Sequence, residues 1–291
     1  TITIGENDED PVFTITDLLP HLGREQNQKK LPDAITAENL NVVLGSLPIA
    51  DADAENRIKL SILGLLNEMY GITERDFVTA EIEIVPAFKA RDVGLDRSMI
   101  GAYGQDDRVC AYAALKGLFD AEKRHKTGVC ILADKEEIGS DGVSGMQSQA
   151  FDTFIADLCD SQGVALRECL EHSFCLSADV TACFDPNYAS VYDKRNSSLI
   201  NRGVGLCKYT GSRGKSGASD ASAEVMGYAR RIFDQAGVLW HVAELGKVDV
   251  GGGGTVALYM ANRNIDTVDA GVSVLGMHAP FEVTGKLDCY M

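Results

Sequence analysis

Side chains that could bind a metal follow three short apolar segments of this 291-residue chain. GVCILA is followed by Glu136 and Glu137, SFCLSA by Asp179, and GVSVLGM by His278. Carboxylates and an imidazole around an open position hold catalytic zinc in proteins, and the oxygen ligands also suit manganese or cobalt. The residue types therefore indicate a divalent metal site that performs hydrolysis.

An acidic pair, Asp106 and Asp107, begins the helical segment DRVCAYAAL and adds a fourth source of carboxylates. Adjacent Glu136 and Glu137 fit two roles, because one carboxylate can bind metal while its neighbour takes a proton from water. Each feature alone also fits a plainer role, such as a solvated helix start or an N-cap. It is their combination at successive segment ends that predicts a metal site.

The elements that would position these residues alternate between short apolar segments and helices, as in an α/β fold. We expect a central, mostly parallel sheet flanked by helices, with the site beyond the carboxyl ends of its strands. Strands are predicted at Gly128–Ala133, Ser173–Ala178, Val238–Ala243 and within Asp266–Gly276. Helices are predicted at Asp107–Glu122, Gly145–Asp160, Ala165–His172 and Ala218–Ala236.

Residues 1–95 have a different pattern, with polar connections and few long apolar segments. Helices are expected at Ala37–Leu44 and Glu55–Met69. Thr79–Val85 alternates as TAEIEIV, which predicts a half-buried strand. We therefore expect a small α+β subdomain over residues 1–95 and a larger domain over residues 96–291.

Composition excludes several classes of function. The formal net charge of −16 would repel nucleic acid, and no apolar segment is long enough to span a membrane. The eight cysteines form no CxxC pair. Scattered thiols of this kind indicate a reducing compartment, so we expect a cytoplasmic protein without a thiolate zinc site.

Four motifs resemble the successive metal-site motifs of the aspartyl aminopeptidases, a family of co-catalytic two-zinc exopeptidases. They are GQDDRVC, ADKEEIGSDG, SADVTACFDPNY and LGMHAPFE, and their order and spacing match from about Ile100 to Glu282. The resemblance implies a metalloaminopeptidase that removes N-terminal residues, with Asp and Glu as expected substrates, by metal-activated water. It also implies two divalent metal ions, expected to be zinc, with manganese or cobalt as alternatives.

The resemblance assigns a role to each matching residue. Asp106 would bridge the two metals, and Glu136 would be the general base. Glu137 would bind one metal, Asp179 would bind a metal, and His278 would bind the other.

Four further features match the family less extensively. His21 of LLPHL resembles a histidine that reaches a neighbouring subunit's active site, although a capping or surface histidine is the alternative. Lys208 resembles a basic group that meets the substrate's side chain, although it could be a plain solvated lysine. The glycines Gly251–Gly254 before Thr255 resemble a Gly-Thr turn beside the substrate, or form a flexible loop. Residues 1–95 resemble an inserted dimerisation subdomain, which implies a large homo-oligomer, a tetrahedral dodecamer.

One family motif has no counterpart. Family members carry an HxD motif that supplies a metal ligand, and none of the five histidines here begins one. We therefore expect that the N-terminal part of the catalytic domain is absent, that the C-terminus is also shortened, and that this chain is inactive alone. A related two-metal deacylase or carboxypeptidase, or a catalytically incomplete assembly subunit, remain alternatives.

Overall fold

The computed structural model describes residues 1–122, 125–214 and 216–291. It divides the chain into two compact units, Thr1–Ala87 and Phe88–Met291. The expected boundary at residues 95 and 96 lies too late in the chain. Strand β3 (Arg91–Val93) pairs antiparallel with β4 (Met99–Ala102), and these hydrogen bonds attach the segment to the second unit.

The first unit contains one long helix and several short elements. Strands β1 and β2 pair antiparallel. The predicted helix at Glu55–Met69 is confirmed as α2, which ends at Gly71 in the left-handed conformation that glycine adopts readily. The helix predicted at Ala37–Leu44 is wrong, because only Ala37–Asn39 is helical, as a 3-10 turn, before β2. The elements are β1 (Thr14–Ile15), α1 (Leu31–Ala34), β2 (Val42–Val43), α2 (Arg57–Tyr70) and α3 (Glu74–Phe77).

The strand predicted at Thr79–Val85 is also wrong. This segment is irregular, and Ile82, Ile84 and Val85 are exposed. A strand requires a hydrogen-bonded neighbour, and the described residues supply none to this segment. The alternation of apolar and polar residues therefore indicates one face suited to burial. It does not ensure that another strand is present to pair with this segment.

The described residues of the second unit form two mixed sheets, so the α/β class is confirmed while the mostly parallel pairing is wrong. The first sheet has the order β3-β4-β11-β10-β6, and only β10 and β6 pair in parallel. The second has the order β5-β9-β7-β8, in which β7 and β9 are antiparallel. The remaining strands are β5 (Phe174–Ser177), β6 (Thr181–Ala182), β7 (Val204–Cys207), β8 (Trp240–Val242), β9 (Asp266–Gly271), β10 (Ser273–Leu275) and β11 (Glu282–Gly285).

The predicted helices are confirmed with shifted ends. Helix α7 begins after Ser222, whose hydroxyl accepts a hydrogen bond from the Val225 amide, and it stops at Gly237. Among the described residues, no helix is long and apolar enough to cross a membrane. The helices are α4 (Gln105–Asp120), α5 (Ala150–Gln162), α6 (Leu166–Glu171), α7 (Ala223–Ala236), α8 (Ala257–Ala261) and α9 (Lys286–Tyr290).

The two faces of the second sheet differ in chemistry. Leu206 and Val268 pack with Val225 and Ala229 of α7 in a buried apolar cluster. Side chains alternate along a strand, so Asp269, which stands between Val268 and Ala270 of this cluster, lies on the other face. This polar face adjoins the carboxylates described below.

The strand predicted at Gly128–Ala133 is wrong. Val129, Ile131 and Leu132 are exposed, and the segment is irregular up to Asp134. In the part of the chain that the structure describes, no strand pairs with it. The segment still leads into Glu136 and Glu137, so the positioning of these residues depends on the turn that follows.

Candidate metal centre

Asp106 and Asp107 lie at the distorted start of α4. Strand β4 leads through Gly104, which has a φ of +69°, and the backbone of both aspartates departs from helical geometry. The distortion directs the Asp106 carboxylate into the unit, where its side chain is only 10% exposed. Burial, followed by the charge of Glu137, raises the pKa of Asp106 to about 6.

His278 follows β10 on a sharp turn and has a φ of +66°. Its Nε2 atom lies 3.0 Å from Oδ2 of Asp106 and 3.3 Å from Oε1 of Glu137. The three side chains offer one ligand atom each, all within 4.8 Å of one another. Two carboxylates and an imidazole at this spacing match the ligands of a catalytic zinc or similar divalent ion.

Glu136 and Glu137 lie in a 3-10 turn, Glu136–Ile138, that follows Lys135 in the left-handed conformation. The Ser140 amide donates to the Lys135 carbonyl at 2.7 Å and closes the turn. Glu136 is half-buried, and burial followed by the neighbouring Glu137 charge raises its pKa. A carboxylate with a raised pKa is better suited to take a proton from water.

Asp179 follows β5 and forms a second group with Asp106 and Asp107, again with ligand atoms within 4.8 Å. Burial raises the pKa of Asp179 well above its usual value, and the charges of Asp107 and Asp106 add to this effect. Burial also raises the pKa of Asp107 to about 7. Three ionised carboxylates this close repel one another strongly unless a cation or protons neutralise them.

An unpartnered oxygen supports the same interpretation. Oδ1 of Asp107 is buried, and the described residues offer it no hydrogen-bond partner. A buried polar atom without a partner is costly, and it points to an unseen ion or water. The donor set therefore fits two divalent cations that share Asp106.

Besides Glu136, the predicted general base, two predicted site residues lie outside these groups. Lys208 forms an ion pair with Asp220. Burial raises the pKa of Glu244, and the charge of Lys208 partly opposes that shift. His21 is exposed on the 3-10 turn Pro20–Leu22 of the first unit. Their predicted roles therefore remain predictions.

Two acidic residues of the site, Glu282 and Asp269, were not singled out from the sequence, and Asp107 was named only as a member of the acidic pair with Asp106. Glu282 could have been found from its place in HAPFE, four residues after His278. Asp269 gives no such signal, because it lies within the strand β9. It is buried opposite Ser177 on β5, and burial raises its pKa to about 6.

The predicted Gly-Thr turn packs closely against another loop. A Cβ atom on Gly252 would lie 2.1 Å from the Gly211 carbonyl oxygen, so only glycine fits there. Burial raises the pKa of Asp269, and a hydrogen bond with the Thr255 side chain partly opposes this shift. The charge of Glu136 raises the same pKa. The turn is thereby connected electrostatically to the acidic residues of the centre.

Comparison with known proteins identifies the family. The family model described as "Aminopeptidase I zinc metalloprotease (M18)" matches residues 1–291. This chain belongs to the M18 family. The predicted resemblance to aspartyl aminopeptidases and the zinc exopeptidase-like fold are thereby confirmed.

Individual M18 proteins are similar over nearly the whole chain. A probable M18 family aminopeptidase 1 from Clostridium acetobutylicum is 49% identical over 293 residues, which are 99% of this chain and 63% of that protein. A solved M18 aminopeptidase from Thermotoga maritima has a TM-score of 0.94 at 47% identity, covering 99% of this chain and 64% of that one. This chain thus spans slightly less than two thirds of the length of these relatives.

A more distant solved structure is the mApe1 dodecamer of S. cerevisiae. It has a TM-score of 0.60 at 22% identity and covers 79% of this chain and 52% of that one. This likeness shows a common fold.

Proposed function

We propose that the protein is a metalloaminopeptidase that hydrolyses N-terminal residues from peptides with two divalent metal ions, zinc being the expected metal. The observation that carries the proposal is the pair of ligand groups that share Asp106. Glu137 and His278 would hold one ion with Asp106, and Asp179 would hold the other. M18 membership supports this assignment, because its family model describes zinc metalloproteases.

Two divalent ions bound there would polarise the scissile carbonyl and favour ionisation of the attacking water. Glu136 would take the proton from that water and pass it to the leaving amine. Its half-buried position and raised pKa support this role, because a base must bind the proton and also release it. Asp107 would complete the hydrogen bonding and charge balance beside Asp106 without being needed as the base.

The preferred N-terminal residue is a separate part of the proposal. We infer that Lys208 attracts an acidic side chain, so that N-terminal Asp and Glu are accepted. Asp220 already pairs with Lys208, so a substrate carboxylate must compete with it. This preference is tested by comparing kcat/KM for Asp, Glu and Leu anilides in wild type and Lys208→Met. The proposal requires that Lys208→Met lowers kcat/KM for the Asp and Glu anilides and leaves that for the Leu anilide unchanged.

We further propose that the protein forms a large homo-oligomer and works in the cytoplasm. Within Thr1–Ala87, all of which the structure describes, no hydrophobic side chain is buried. Large exposed apolar surfaces mark protein interfaces, and a second copy is the partner that the family resemblance implies. The eight cysteines are free thiols, as a reducing compartment would maintain them.

The test of the central proposal is metal content and turnover in the full-length protein. We expect about two divalent ions per subunit, loss of aminoacyl-anilide hydrolysis after chelation, and recovery on adding zinc, manganese or cobalt. N-acyl amino acids and peptides with a blocked amino terminus serve as control substrates. Turnover of these controls in preference to free amino termini would instead identify a deacylase or carboxypeptidase of related chemistry.

A further inference from the structure

Glu282, the first residue of β11, has a carboxylate that contacts the backbone of two proposed metal ligands. Its Oε2 accepts a hydrogen bond from the Asp106 amide at 3.1 Å, and its Oε1 accepts one from the His278 amide at 2.6 Å. Glu282 is only 2% exposed. Each oxygen of one buried carboxylate thus holds one ligand-bearing segment.

The location of Glu282 explains how it reaches both segments. It lies opposite Ala102, the last residue of β4, just before the turn that carries Asp106. Its own strand pairs with β10, and His278 lies in the connection between these two strands. Glu282 therefore lies where two segments far apart in sequence must be brought together.

The backbone of His278 needs such support. A φ of +66° is unfavourable for a residue with a side chain, and such conformations persist where the surroundings hold them. In this conformation Nε2 is directed at Asp106 and Glu137. The short hydrogen bond from the His278 amide to Glu282 opposes relaxation of the backbone.

Burying a carboxylate is itself unfavourable unless hydrogen bonds satisfy it. A leucine or methionine would fill the same space without this penalty, but neither could accept the two amide hydrogens. The Glu282 carboxylate also lies close enough to Asp106 to raise the pKa of that group. A negative charge beside the ligands favours a cation at the centre.

We propose that Glu282 is a positioning residue that fixes the backbones of Asp106 and His278 for metal binding and thereby sets the affinity for the ion they share. The proposal rests on the two-metal function above. It is distinct from the roles of the ligands, because Glu282 acts through their amides.

The test replaces Glu282 with glutamine in the full-length protein. Glutamine has nearly the same volume, but its NH2 group would face one of the two amide hydrogens instead of accepting from it. We expect zinc affinity, measured by competition with a chromogenic chelator, to fall by about 10- to 100-fold, the usual effect of losing an outer-shell partner. Turnover should recover toward wild type at saturating zinc, since Glu136 and the ligands are unchanged.

Asp288 offers a matched control. This aspartate, 1% exposed in α9, accepts hydrogen bonds from the amides of Gly203 at 2.6 Å and Asn201 at 2.7 Å. Asp288→Asn makes the same chemical change at a buried carboxylate that holds two backbone amides. Its unfolding temperature should fall, while its zinc affinity should stay at the wild-type value.

Equal zinc affinity in E282Q and wild type would overturn the positioning role, even if E282Q were less stable. If E282Q does not fold, hydrogen exchange of the metal-free wild-type protein decides. The amides of Asp106 and His278 should be protected before metal is added, and exchange at the unprotected rate would refute the proposal. A wild-type protein that binds no divalent ion would instead refute the proposed function.

Discussion

At the scale of single residues, Asp106 contributes to the centre through both its carboxylate and its backbone amide. Its carboxylate is shared by the two ligand groups, while its amide donates to Glu282. Its neighbour Asp107 belongs to the second group and keeps one buried oxygen without a partner among the described residues. The centre is therefore a cluster of charged side chains, and the backbone of Asp106 is held by Glu282, which belongs to neither ligand group.

Glu136→Gln should remove turnover without removing metal. Glutamine keeps the size of the side chain but cannot take a proton from water, so we expect kcat to fall by about 10²- to 10⁴-fold. Elemental analysis should still find the wild-type metal content, because Glu137 and not Glu136 lies in the ligand group. Near-normal turnover by the variant would show that the general base is another group.

The metal-free protein should lose stability as the pH rises. The folded-state pKa is about 6 for Asp106 and about 7 for Asp107, above the ordinary value of 3.8. Acids with raised pKa values stabilise the folded state below pH 3.8, and this contribution is lost as the pH rises through 6 and 7. Thermal unfolding of chelated protein between about pH 4 and pH 8 measures the trend.

Zinc provides the complementary measurement. Because the ligands must be deprotonated to bind metal, added zinc should raise the unfolding temperature more at the alkaline end than at the acidic end. Asp107→Asn cannot ionise at that position and should flatten the pH dependence of the metal-free protein. A metal-free wild type that becomes more stable across this range would contradict the assignment of the raised pKa values.

Much of the centre could be predicted at this scale, since acidic pairs and a histidine stand in four motifs. Geometry brings Asp106, Glu137, Asp179 and His278 into two overlapping groups as the motifs suggested. Glu282 could not be assigned a role, because a carboxylate that holds backbone amides has no pattern of its own. Its partners are revealed only when β4 and β11 pair.

At the scale of secondary structure, the sequence predicted helices better than strands. Helix α7 has its cap and its stop signal within its own segment, at Ser222 and Gly237. The segment Gly128–Ala133 has an equally clear apolar pattern, yet no described strand pairs with it. Strand formation depends on a distant partner, so local residues alone cannot settle it.

Gly252→Ala should disturb the Gly-Thr turn. A Cβ atom there would lie 2.1 Å from the Gly211 carbonyl oxygen, and the φ of +107° is unfavourable for alanine. We expect a loss of about 1–3 kcal/mol in the free energy of unfolding, together with a raised KM, because the turn is connected to Asp269. Chemical denaturation and steady-state kinetics of the full-length protein measure the two effects.

Gly217→Ala is the matched control for this substitution. Gly217 also has a positive φ, +61°, but a Cβ atom there would meet nothing within 4 Å. It should therefore show only the backbone cost, about 1 kcal/mol. If the two variants lose the same stability and keep the same KM, the close approach at Gly252 is of no consequence.

At the scale of the whole molecule, the two units differ in how they bury apolar side chains. The second unit has buried clusters around Leu206, Val272 and Met146. The first unit exposes Leu18, Leu19 and Leu22, close in sequence to His21. These apolar side chains are removed from water only when another molecule covers them. A second copy of the chain would cover them by self-association.

His21→Ala tests whether assembly and catalysis are linked. If the His21 of one subunit enters a neighbour's site, it could hydrogen-bond the oxyanion that forms at the scissile carbonyl. The variant should then lose about 10²-fold or more in kcat while keeping its oligomeric size, because one hydrogen-bond donor is lost and the leucine contacts remain. Light scattering and turnover must be measured on the same full-length sample.

Leu22→Glu is the companion change, because Leu22 is 72% exposed and adjoins His21. A charge there should break the apolar contact, so size and activity should fall together, and a raised protein concentration should restore both. A Leu22→Glu monomer with full turnover would refute the action of His21 on a neighbouring subunit. An intact His21→Ala oligomer with unchanged turnover would leave the assembly standing and make His21 a surface histidine, since the apolar side chains around it would then be sufficient for association.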